Sequence, residues 1–205
     1  MKILANPIFA NRIREPVPAA LGVLPDIVPI PYFGDYDNAK ICTVALNPSG
    51  TEFYDKKGNP NKKHPCLRSN LGGAKPDDFL TALDAAKIVD YYDNYFVRGI
   101  GPHSFFGTYE IFLNQKQVKS SYYHNIPHDN GLCVHIDLFE WATKESYAEF
   151  QKHHPLNLQI LKSTESPFFM ALLEKTGLGS CPFDVIFLDG KAVIDFFEIR
   201  HSFLL

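Results

Sequence analysis

The chain has 205 residues, 45% hydrophobic and 21% charged, with a formal net charge of -3. Those values fit one domain with a sizeable core and exclude a disordered or fibrous chain. They leave no global basic field for a polyanion, so any nucleic-acid contact must rest on a local basic patch.

Four cysteines stand far apart, at 42, 66, 133 and 181. Their spacing offers neither a zinc site nor a redox dithiol, and Cys42 and Cys133 lie in apolar runs as reduced core residues. No metal or cofactor is expected. There is no signal peptide and no apolar run long enough to span a bilayer, so the expected compartment is cytoplasmic, without a membrane partner.

Residues 1–39 read as an irregular lead-in. Pro7, Pro16, Pro18, Pro25, Pro29 and Pro31 interrupt it, leaving room for a helical turn near Asn11 to Arg14. Val28 to Gly34 is extended and runs toward the first strand. Ile41 to Leu46 is an apolar, β-branched run of strand length. Asn47-Pro48-Ser49-Gly50 ends it, because Pro48 has no N–H to give a sheet. The strand thereby delivers Asn47 to its carboxyl end, the edge at which open α/β sheets bind ligands.

Tyr54 to Lys75 is a polar loop with Lys56, Lys57, Lys62, Lys63, His64 and Arg68 close together. It is either an ordinary solvated surface or a lip that meets phosphate through Lys62, Lys63 and Arg68. Asp77 is the expected N-cap of a helix from about Asp78 to about Phe96, stopped by Gly99-Ile100-Gly101-Pro102. Phe105, Phe106, Tyr109, Phe112 and Leu113 give a second helix whose rings pack the core. Leu132 to Phe139 is the second strand. His135 and Asp137 share one of its faces, either as a mutually satisfied pair or as the lining of a pocket. His124 and His128 fall in a surface loop, and His153 and His154 have no neighbours at metal-ligand spacing.

Lys144 to His154 is helical or irregular. Ser166-Pro167 reads as a helix start, with Gly177 as the stop. Asp184 to Leu188 is the third strand, and Asp189-Gly190 turns into a helix from Lys191 to about Glu198. His201 to Leu205 begins a fourth strand or frays. Strands separated by helices predict a single α/β domain over 1–205, with a short, largely parallel sheet between helical layers.

The residues alone leave two readings of Asn47. Its amide can hold a water or pair with a ligand, with Phe53 beside it to stack on a planar heterocycle; or it simply caps the turn. The chain has no nucleophile elbow, Gly-rich phosphate loop or dinucleotide fingerprint.

Val44-Ala45-Leu46-Asn47-Pro48-Ser49 resembles the first motif of the uracil-DNA glycosylase superfamily. In the mismatch-specific and single-strand-selective branches that motif reads Gly-hydrophobic-Asn-Pro-Gly. Val134 to Thr143 is similar to the family's strand that leads into Pro-Thr or Ala-Thr. Asp184 to Val193 looks like the strand, turn and helix before the family's last motif. The resemblance implies a three-layer α/β/α sandwich with a base-sized pocket lined by Leu46, Asn47, Pro48, Ser49, Phe53, His135 and Asp137.

By the same resemblance, Asn47 orients the water that attacks the sugar C1′, Phe53 stacks on the base and Asp137 reads it. The reaction breaks an N-glycosidic bond, as in base excision repair, and needs no metal. The partner is DNA, single- or double-stranded, or a nucleobase-containing small molecule. An ionised Asp137 only accepts hydrogen bonds, so a base other than plain uracil is expected. The family's second catalytic loop, His-Pro-Ser or Asn-Pro-Ser, has no counterpart after Lys191. That points to single strands, to free nucleosides, or to a catalytically silent binding module of the same fold.

Overall fold

The computed structural model describes residues 2–48, 50–55, 57–62, 64–97, 104–124, 129–175 and 182–201. Ser49, Lys56, Lys63, His128, Cys181, the expected helix stops at Gly99 to Pro102 and Gly177, and the end 202–205 lie outside them.

The chain is α/β, with helices around a three-stranded, all-parallel sheet in the order β2-β1-β3. Strand β1 (Ile41–Ala45) is central, and all five of its residues are buried. Strand β2 (Cys133–Asp137) pairs with it from Ile41 against Cys133 to Ala45 against Asp137. Strand β3 (Val185–Leu188) takes the other side, from Ile41 against Val185 to Val44 against Leu188. The apolar runs explain the pairing: a strand covered on both faces and both edges has no use for polar alternation. All three carboxyl ends meet at one edge. The Leu138 amide donates to the Ala45 carbonyl, Phe139 to Leu46 and Asp189 to Val44.

The N-terminal stretch is more regular than its prolines predict. Helix α1 (Pro7–Arg14) opens with Pro7 in its first turn, and the Asn6 side chain accepts the Ile8 amide. An N-cap followed by Pro at the start is favourable, because that N–H has no helical partner anyway. Phe9 and Ile13 are fully buried, and the Phe9 ring meets Phe168 edge-on at 5.1 Å. Residues 23–33 then run antiparallel along the outer side of 135–143. Leu24 bonds Ala142, Ile30 bonds Glu140, and Phe33 exchanges both backbone bonds with His135. The lead-in thus closes the free edge of β2.

Two helix starts differ from expectation. Helix α2 (Ala82–Asp93) begins at Thr81, not Asp77, because Thr81 and Asp84 form a reciprocal capping box. Helix α3 is Ser104–Leu113 and helix α4 Tyr147–His153. Helix α5 (Pro155–Leu173) starts at Pro155 and passes straight through Pro167. One interior proline costs about 3 kcal/mol. That is less than burial of Leu158, Leu161, Phe168, Phe169 and Leu172 on one helix, at roughly 1.5–3 kcal/mol each. Helix α6 (Lys191–His201) follows β3. Cys42 and Cys133 are buried and free, with burial pushing both thiols up. Among the described residues no helix is long and apolar enough to cross a membrane.

Candidate functional site

Asn47 stands two residues beyond β1, where Pro48 turns the chain off the sheet. Its Nδ2 donates to Thr143 Oγ1 and to the Pro48 carbonyl, both at 3.1 Å. The Thr143 hydroxyl spends its own proton on the Glu145 carbonyl at 2.8 Å, so toward Asn47 it acts as an acceptor. Two acceptors on one side of the amide fix which end is nitrogen. Asn47 Oδ1 is left without a hydrogen bond among the described residues. Gly50 makes this approach possible: a Cβ there would lie 2.7 Å from the Thr143 carbonyl oxygen.

A cleft of about 720 Å³ opens over this amide. Its lining comes from three stretches of chain: Asn47, Pro48, Gly50, Thr51, Tyr54 and Asp55; Thr143, Lys144, Glu145 and Ser146; and Leu24 and Pro25. Asp55 accepts the backbone N–H of Lys57 at 2.8 Å and of Asn59 at 2.9 Å, and Asn59 Nδ2 at 3.0 Å. The Asn59 side chain, then these backbone N–H groups, holds the Asp55 carboxyl below its ordinary range. Burial, with the Asp26 carboxylate adding to it, pushes the Tyr54 phenol up. Glu145 Oε2 lies 3.2 Å from His153 Nδ1, and its Oε1 carries no bond among the described residues. Ser146 spends its hydroxyl proton on Glu149 Oε2 at 2.8 Å in the box that caps α4.

The single pocket of Asn47, Phe53 and Asp137 is not formed. Phe53 is fully buried behind the cleft wall, its ring 4.7 Å from His64. There the Cys66 amide donates to His64 Nδ1, so Nε2 carries the proton and faces Glu52 Oε1 at 3.2 Å. Tyr95 donates to the other Glu52 oxygen at 2.9 Å. Phe53 is core, and the ring presented to the cleft is that of its neighbour Tyr54.

His135 and Asp137 pair with each other, away from the cleft lining. His135 Nε2 is 3.3 Å from Asp137 Oδ1, and Nδ1 is 2.8 Å from Thr43 Oγ1, which lies 2.6 Å from the Tyr122 hydroxyl. A neutral imidazole gives one consistent direction: Tyr122 to Thr43, Thr43 to His135 Nδ1, His135 Nε2–H to Asp137. Rings of Phe105, Phe106 and Tyr109 from α3 enclose the imidazole at 5.3 to 6.0 Å. The separation follows from β1 ending at Ala45. Ala45 still pairs with Asp137, whereas Asn47 has left the ladder and turned toward Thr143.

Arg68 requires a correction. Its side chain is buried, and its guanidinium donates to the backbone carbonyls of Lys75 at 3.1 Å, Glu15 at 3.1 Å and Asp78. A fork spent on three carbonyls cannot also bind phosphate. Lys62 is exposed but outside the cleft lining, and Leu46 is half-buried against the core. Sequence reasoning missed Tyr54, Asp55, Thr143, Lys144 and Glu145. The signals were there: Asp55 followed by Lys-Lys-Gly-Asn is a side-chain-stabilised turn, and Thr143 ends the second-strand stretch. Among the described residues no cluster could hold a metal ion. Comparison with protein-family models, curated proteins and solved structures returned no match.

Proposed function

We propose that the Asn47 cleft binds a nucleobase-bearing substrate and hydrolyses its N-glycosidic bond, as a uracil-DNA glycosylase-like enzyme would. One observation carries the reading: an amide in the cleft lining whose nitrogen is pinned and whose carbonyl oxygen has no hydrogen bond among the described residues. Such a carbonyl accepts one proton of a water and aims its lone pair. An amide cannot take the proton away, so the chemistry must be carried by bond breaking on the sugar. There the C1′–N bond breaks with its electron pair on the departing base, leaving a cationic, oxocarbenium-like sugar; the water oxygen bonds C1′ and the water's proton passes to the departed base. The Asp55 and Glu145 carboxylates in the lining favour that charge. Tyr54 offers the base a ring to lie against.

A second reading is favoured by the position of Phe53 and Asp137 outside the cleft: a binding module of the same fold that holds a nucleotide or nucleic acid without turnover. The two separate in one experiment. Wild type and Asn47→Ala are incubated with nucleosides and with single- and double-stranded oligonucleotides carrying a panel of modified bases. Free base and abasic sites are then measured. Release by wild type that falls about 100-fold in the variant supports hydrolysis. Binding with no release on any substrate supports the silent module.

A further inference from the structure

We propose that the cleft takes a phosphate-free nucleoside rather than a nucleotide or a nucleic-acid strand. This rests on the preceding reading of the cleft and names its substrate class. The hydrogen-bonding inventory carries it. A phosphate group only accepts, so a site for it must present free donors. Here three of the lining's side-chain donor groups are already used: Asn47 Nδ2 on Thr143 and Pro48, the Thr143 hydroxyl on Glu145, the Ser146 hydroxyl on Glu149; Lys144 is the one charged donor among the described lining residues. Asn47 Oδ1 and Glu145 Oε1 carry no hydrogen bond among the described residues, and both are acceptors. Those suit the sugar hydroxyls and the N–H edge of a nucleoside.

Charge points the same way. The lining holds two carboxylates, Asp55 and Glu145, against one ammonium, Lys144. Further carboxylates stand behind it, Asp26 raising the Tyr54 phenol and Glu149 capping α4 beside Ser146. The one buried guanidinium nearby, Arg68, is consumed by backbone carbonyls. A volume of about 720 Å³ is that of a small-molecule site. The carboxylates that would favour a cationic sugar therefore also repel a phosphate attached to it.

The test is calorimetric titration of the protein with the common nucleosides, their 5′-monophosphates and a short single-stranded oligonucleotide, at low and high salt. The best nucleoside should bind about tenfold more tightly than its monophosphate at low salt. Salt should narrow that gap by screening repulsion. Glu145→Gln should narrow it as well, and Lys144→Gln should widen it. Monophosphate or oligonucleotide binding as tight as the nucleoside's, or weakened by salt, overturns the proposal. Base release from oligonucleotides but not nucleosides overturns it while leaving hydrolysis intact. Preferred nucleoside binding without release upholds it and overturns hydrolysis. Absence of binding by every probe overturns both.

Discussion

Two polar endings lie on neighbouring strands of one sheet, and they have opposite fates. At the end of β2, Asp137 receives a buried relay from Tyr122 through Thr43 and His135, beneath the rings of α3. Beyond β1, Asn47 uses only its nitrogen internally and keeps its oxygen at a cleft. Being at a strand's carboxyl end thus does not make a residue functional. What separates the two is access: Asp137 is buried, whereas Asn47 lines a cleft.

The most direct way to break this comparison is Asn47→Ala. Hydrolysis should fall by about 100-fold or more, while stability drops by only about 1 kcal/mol for the two lost amide bonds. Parallel kinetics and urea unfolding would check both, and a large stability loss with unaltered kinetics would reverse the assignment. Arg68→Met should do the opposite. It leaves three carbonyls short of a donor and should cost about 2–3 kcal/mol, with ligand affinity of the folded fraction unchanged. A shift in salt-dependent binding would restore Arg68 to a ligand surface.

Thr43→Val sharpens the contrast at smaller scale. It deprives His135 Nδ1 and the Tyr122 hydroxyl of their shared partner, for about 1–2 kcal/mol by thermal or urea unfolding. Turnover should stay as it was; a marked loss would mean the relay feeds the chemistry.

The smallest effect is expected at a buried carboxyl, Asp93. Tyr32 donates to it at 2.6 Å, yet burial raises its carboxyl to about 6, with Asp37 and Asp35 adding to the rise. Folding then favours the protonated form, so this group's contribution is full below about pH 4 and is lost as pH rises through about 6. Asp93→Asn should therefore look more stable relative to wild type at pH 7.5 than at pH 4. Unfolding midpoints at the two pH values that differ equally would contradict it.

The sheet was legible because buried parallel strands write themselves as short apolar runs, and all three lie within a residue or two of where the runs predict. Helix α5 was not, because Ser166-Pro167 imitates a start signal and only tertiary burial overrules it. Helix α1 hid behind a proline count, although Asn6-Pro7 is itself a start signal. Asn47 was legible from Pro48 alone. Its setting was not, because Thr143 and Glu145 reach it from about a hundred residues away, and nothing local announces such a meeting. Phe53 and Arg68 misled for a shared reason: an aromatic and a cation in a polar loop look like surface until the loop folds over them.

The central position of β1 has a consequence for how the chain is made. Its first partner residue, Cys133, is synthesised 92 residues after Ile41, and the other flank, Val185, later still. At roughly 5–20 residues per second, a ribosome takes about 5–18 s to reach β2. Throughout that interval Ile41 to Leu46 is an apolar segment with neither neighbour in existence. The lead-in's extended part cannot yet take its place either, because Leu24, Ile30 and Phe33 bond to residues 135–142. The yield of folded protein should therefore depend on how fast the chain is made, as an exposed apolar segment is open to aggregation until its partners arrive.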